Sequence, residues 1–166
     1  MDFGDRSRFA ITMELAENGG GEWLFGKFCC WINGRQVGDY DSGVSLRDAL
    51  LVIKWAVWDC GKRDDCELFS LSKEAAFALI DSALYGDRDA PDTPNDMARF
   101  DVSFHVDSGG WRAFLIDCHD KSRLIYKRGA KDIDEVMLAR GEFDRVIKSV
   151  QETLIAMYDR AESEDR

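Results

Sequence analysis

The chain has 166 residues, 32 acidic against 22 basic side chains and a formal charge of −10, a length close to that of one folded domain of roughly 150 residues. An apolar content of 45 %, with ten Phe, five Trp and four Tyr, excludes a disordered chain in spite of that charge. The acidity removes the counterion release that drives most nucleic-acid binding, no window approaches 18 uninterrupted apolar residues, and the N-terminus lacks a basic stretch leading into an apolar run.

Direct nucleic-acid binding, membrane spanning and secretion are therefore not expected, and the expectation is one domain over residues 1–166. The charge is not a tail: residues 1–85 carry 9 basic and 14 acidic residues, and residues 86–166 carry 13 and 18. Cysteines at 29, 30, 60, 66 and 118 are odd in number and contain no C-x-x-C pair. They read as reduced thiols of a cytoplasmic protein.

Phe9, Ile11, Met13 and Leu15 alternate with Ala10, Thr12 and Glu14, the period of a half-buried strand. A glycine turn leads to a second strand, Trp23 to Ile32, apolar on both faces and so central in its sheet. On it, Trp23 and Trp31 call for cover by helices or by a second subunit; the oligomeric state is open. Asn33-Gly34 is a hairpin signal for a third strand ending near Tyr40.

From Ser45 the period changes. Ser45 and Asp48 stand at N-cap and N3, Leu46, Ala49, Leu50, Ile53, Val57 and Cys60 recur at helical spacing, and Gly61 ends the helix. A second helix is predicted from Ser72 to Tyr85. Residues 86–98 hold both prolines and read as a surface loop. Phe100, Val102, Phe104 and Val106 alternate as a strand, followed by strands at Trp111–Cys118, Arg123–Lys127 and around Ile133–Leu138. A long helix carrying Phe143, Val146, Ile147, Val150, Leu154 and Met157 on one stripe closes the chain. The order β-β-β-α-α-β-β-β-α predicts an α+β fold, its largely antiparallel sheet built from two strand meanders with helices packed on one face.

Candidate chemistry is sparse. Gly21 to Phe28 has the G-x-x-x-x-G-K spacing of a phosphate loop, but Phe28 stands where a magnesium-binding hydroxyl is needed, and the stretch lies within a strand. Cys118 and His119 suggest a nucleophile and base, although neighbours on a strand point to opposite faces. His105 falls on the polar face of its strand. Cys29 and Cys30 flank one strand, and Cys60 with Cys66 lacks partners for zinc. Carboxylate clusters at Asp39 and Asp41, or at Asp64, Asp65 and Glu67, are expected by chance among 32 acids. No catalytic residue, metal ligand or cofactor is assigned.

Phe3 to Ile11, then Trp31-Ile32-Asn33-Gly34-Arg35-Gln36-Val37-Gly38-Asp39-Tyr40, then Ser45-Leu46-Arg47-Asp48, together with Asp134-Glu135-Val136 and Gly141-Glu142-Phe143, resemble the immunity protein 42 family of bacterial polymorphic toxin systems. The resemblance implies a cytoplasmic, non-catalytic protein that binds a cognate toxin, one to one, and blocks it. It carries over no contact residues. An acidic chain suits a basic, nuclease-like toxin, and the expected contact surface is the edge made by Asp64, Asp65 and Glu67 with the loop bearing Asp87, Asp89 and Asp92. The alternatives are a small hydrolase using Cys118 and His119 or a carboxylate pair, and a non-catalytic adaptor.

Overall fold

The computed structural model describes residues 1–17, 21–86, 95–104 and 110–164. Strands β1 (Asp2–Asp5), β2 (Phe9–Leu15), β3 (Phe25–Ile32) and β4 (Arg35–Val37) pair in that order, and β5 (Val44–Ser45) pairs with the start of β3, all antiparallel. The register sets Phe9 opposite Ile32, Ile11 opposite Cys30 and Met13 opposite Phe28, so the alternation of β2 delivers one apolar face. A second antiparallel sheet contains β6 (Trp111–Cys118), β7 (Lys121–Arg128) and β8 (Asp134–Ala139). With helices α1 (Leu46–Trp58), α2 (Cys66–Ser70), α3 (Lys73–Tyr85) and α4 (Glu142–Glu164), the fold is α+β, as the two meanders predict.

Local chemistry explains much of this. Asn33 and Gly34 both take positive φ (52° and 74°), the backbone of a two-residue hairpin turn matched to strand twist. Ser45 Oγ accepts the Asp48 N–H at 3.2 Å, and Ser72 Oγ accepts the Ala75 N–H at 3.1 Å; each satisfies a donor that its helix leaves open. The phosphate-loop spacing is structural: Gly26 and Lys27 lie in β3 opposite Leu15 and Glu14. A Cβ on Gly26 would stand 2.2 Å from the Glu14 carbonyl oxygen and 2.9 Å from Leu46 Cδ1, so glycine there lets β2 and α1 close on β3.

Each sheet carries two helices on one of its faces. Helices α1 and α4 lie against the five-stranded sheet and each other, around Phe9, Ile11, Met13, Phe28, Ile53, Phe143, Val146, Ile147 and Val150, all buried. Phe143 stacks on Phe9 with ring centres 4.6 Å apart, and Phe104 lies 6.3 Å from Phe28 and from Phe143. The outer face of the three-stranded sheet, Phe114, Ile116 and Ile125, packs with Leu68, Ala76, Phe77, Ile80 and Phe100.

Four expectations are corrected. The strand expected from Trp23 starts at Phe25, because Gly21–Trp23 is a 3-10 turn and Leu24 takes a φ of 50° to turn the chain into β3. Trp23 is thus off the strand. Trp31 is half-buried, donating its Nε1–H to Thr12 Oγ1 at 2.9 Å, with the Arg6 guanidinium 4.4 Å from its ring. The strand expected over Phe100–Val106 is, through residue 104, a 3-10 turn (Asn95–Phe100), one bridge between Asp101 and Phe114, and irregular chain; its remainder lies outside the described residues. Phe100, Val102 and Phe104 are still buried, but Ser103 Oγ accepts the Ala113 N–H at 2.9 Å and donates to the Ala113 carbonyl at 3.3 Å. A side chain thereby occupies part of the β6 edge where a ladder would run. Strand β1 and helix α2 have no counterpart in the expected order.

The N-terminal meander is tied to α4 by Arg8, which donates from Nε and Nη2 to the two carboxylate oxygens of Glu142 at 2.7 and 2.8 Å. The Ala139 N–H adds a third bond to that carboxylate at 3.0 Å. The Arg8 guanidinium, chiefly, holds Glu142 below its ordinary value of 4.5. Its contribution to stability is therefore complete above the unfolded-state value and is lost as pH falls through the lower folded value. Glu142→Gln is expected to be destabilised at neutral pH and to show a flatter acid limb below pH 4.5 in urea titrations. Parallel pH profiles for the two proteins would refute this.

Candidate functional site

The acidic edge is built where the chain leaves α1 and runs along the end of β6. The Asp117 N–H donates to the Arg63 carbonyl at 2.8 Å and the Asp65 N–H to the Asp117 carbonyl at 3.0 Å, a parallel bridge centred on Asp64. Asp65 then caps α2, its Oδ1 accepting the Leu68 N–H at 2.9 Å. The far end of α2 is held by Arg123, whose Nη1 donates to the carbonyls of Phe69 and Leu71 at 2.8 and 2.6 Å.

The structure places the expected contact residues unequally. Asp64 is exposed but takes the Arg140 guanidinium at 2.9 Å, and Asp65 is committed to its cap. Glu67 stands exposed, with no ion pair among the described residues. Asp87, Asp89 and Asp92 lie outside the described residues.

The thiol reading is corrected at two positions. Cys66 and Cys118 are joined by a disulfide across 52 residues of chain, while Cys29, Cys30 and Cys60 are thiols. Cysteine count alone does not show such a bond, because it depends on α2 docking beside the last residue of β6. Cys118 therefore has no thiolate for the nucleophilic role, and His119 sits in the following turn at a φ of 55°. The two sulfurs and a ring nitrogen of His119 lie within 4.8 Å of one another, but sulfurs bonded to each other do not ligate as thiolates. Burial pushes the Cys60 thiol up to about 11, with Asp144 adding to the shift; it is protonated at neutral pH.

Two larger clefts are lined by structural groups. One, of about 470 Å³, lies between Phe3, Arg8, Glu142 and Arg145, around the ion pair that ties α4 down; the other, of about 520 Å³, lies between Arg35, Tyr126, Arg128 and Asp134.

A different surface went unread in the sequence. Opposite its buried stripe of Leu46, Ala49, Leu50, Ile53 and Ala56, α1 presents Leu51, Trp55 and Trp58, which are 55, 73 and 70 % exposed. The signal was available: positions 51, 55 and 58 share one helical face, so α1 is apolar on two opposite sides. The inner stripe accounted for only one of them.

The crystal structure of CdiI from Burkholderia dolosa AUO158 shares this fold, with a TM-score of 0.74 and 24 % identity over 92 % of this chain and 99 % of that one. No curated protein sequence matches the chain. Residues 1–153 match immunity protein 42, and the chain belongs to that family. It is a toxin-neutralising immunity protein.

Proposed function

We propose that the chain acts as a single domain in the cytoplasm, occupying its cognate toxin one to one and blocking it without chemistry of its own. Membership of the immunity family over residues 1–153 carries this reading. No described helix is long and apolar enough to cross a membrane, which agrees with action in solution.

The toxin on this reading is a cationic, nuclease-like domain. Support comes from the charge of −10 spread over both halves of the chain: a field of one sign accelerates encounter with a basic partner and discourages wrong ones. The acidic edge is Asp64, Asp65 and Glu67 with the stretch bearing Asp87, Asp89 and Asp92. Asp64 and Asp65 are already bonded within the fold, so this edge contributes long-range attraction more than close contact.

The test is co-expression with the toxin domain encoded by the neighbouring reading frame. Restored growth and a one-to-one complex by light scattering are expected; absence of both overturns the reading. Charge reversal at the six acidic positions is expected to slow association by about 10–100-fold at low salt and to flatten its salt dependence. Unchanged association would remove the edge from the interface and leave immunity intact.

A further inference from the structure

We infer that the outer face of α1, with Trp55 and Trp58 at its centre and Leu51 one turn before them, is the apolar anchor by which the chain grips its toxin. This rests on the immunity function and says which surface performs it.

A helix that is apolar all round belongs in an interior. Helix α1 meets that condition on one side only: Leu46, Ala49 and Ile53 are fully buried, while the two indoles opposite are 73 and 70 % exposed. At about 100° per residue, Leu51, Trp55 and Trp58 fall within a narrow arc and run along roughly 10 Å of helix at 1.5 Å per residue. The two indoles alone offer about 300 Å² to a partner, given the 150–250 Å² that an aromatic side chain buries, and Leu51 extends the patch. Continuous apolar areas of that size on a soluble protein mark binding sites. They fit the core of a standard interface of about 800 Å² per partner, and tryptophan is the residue type most often found carrying binding energy there.

The border of the patch selects the occupant. Arg47 and Lys54 flank it on one side of the helix, and Asp48 and Asp59 on the other. Past its end, the Lys62 ammonium lies 4.5 Å from the Trp58 ring, and the chain passes directly into the acidic edge at Asp64. At its start the Arg47 guanidinium lies 5.5 Å from the ring of Trp23, itself 48 % exposed. Antiparallel pairing of two copies through this face would lay the basic row on the basic row and the acidic row on the acidic one, and each copy would bring a charge of −10. The complementary surface is therefore a toxin face with an apolar pocket for the two indoles, cationic toward the acidic edge.

The experiment measures affinity of the full chain for the toxin domain of the neighbouring reading frame by calorimetry, alongside growth protection in cells. Trp55→Ala/Trp58→Ala is expected to weaken binding by about 100-fold or more and to abolish protection. Its circular dichroism and melting should match the unaltered chain, because both side chains are largely in solvent. Leu51→Glu, a single exposed change, is expected to weaken binding by about tenfold. Affinity within threefold of the unaltered chain for both variants overturns the anchor while immunity stands. So does a double variant that turns a dimer into a monomer in sedimentation yet binds toxin normally, which would assign the face to a second copy. No complex with the unaltered chain overturns the immunity reading and the anchor together.

Discussion

Arg63→Ala is expected to destabilise the protein by about 3–5 kcal/mol, the usual cost of leaving one partner of a buried ion pair behind. Arg63 is fully buried. Its Nη2 donates to the Ala56 carbonyl in the last turn of α1 at 2.5 Å, its Nε to the Arg99 carbonyl at 2.9 Å and its Nη1 to Asp144 of α4 at 3.1 Å. One guanidinium thus joins three segments at the point where α1 gives way to the acidic edge. Alanine removes the charged partner of the Asp144 carboxylate and the guanidinium donors to two carbonyls, and leaves a side-chain-sized void. For a chain of this length each kcal/mol lowers the melting temperature by about 2–4 °C, so a drop of roughly 10 °C is expected in thermal circular dichroism. Lysine cannot reproduce the three-way fork and should recover little. Arg63→Met/Asp144→Leu, which removes both charges together, should lose less than Arg63→Ala. A loss under about 1 kcal/mol for Arg63→Ala would refute the keystone role, since that is the range of an exposed pair.

Reduction of the Cys66–Cys118 bond is expected to cost about 2–4 kcal/mol, because opening a loop of 52 residues returns conformational freedom to the unfolded chain. The native fold should persist. The bonds from Asp65 N–H to the Asp117 carbonyl and from Asp117 N–H to the Arg63 carbonyl, the Asp65 cap and the Arg123 clamp on α2 do not depend on the sulfurs. Urea titrations with and without dithiothreitol should differ in midpoint, and Cys66→Ser/Cys118→Ser should behave as the reduced protein does. Cys60→Ser should retain the full response. A thiol titration in non-reducing denaturant should count three thiols; a count of five would refute the bond. Under reducing conditions the protein is thus expected to keep the smaller stability margin, held at this corner by hydrogen bonds, the Asp64–Arg140 ion pair and the burial of Leu68.

The two effects meet at one place. Arg63 fixes the end of α1, and the disulfide fixes the start of α2 three residues later. Between them lie Asp64 and Asp65, and just before them the exposed Trp55 and Trp58. Rigidity here keeps the aromatic face and the acidic edge in a constant relation, which lowers the ordering cost of binding a partner.

Much of this was legible in the sequence where neighbours along the chain decide. The Asn33-Gly34 turn, the cap at Ser45, the start of a helix at Ser72, and the buried stripes of β2 and α4 follow from period and local hydrogen bonding, and they emerged as expected. The family was legible for the same reason: its turn glycines and strand edges are local signatures. The acidic edge was legible only as composition, since sequence does not say that Asp64 meets Arg140, 76 residues away, or that Asp65 serves α2.

By itself the sequence determined an acidic α+β chain with antiparallel meanders, because periods of 2 and 3.6 residues and net charge are properties of the chain before it folds; the immunity family came from its resemblance alone. Tertiary structure alone decided which cysteines join, which arginine is buried, why the 100–104 segment gives up its ladder to Ser103, and which apolar side of α1 stays uncovered. Each depends on segments far apart in sequence arriving at one point, and burial and bonding are set there by the neighbours that arrive.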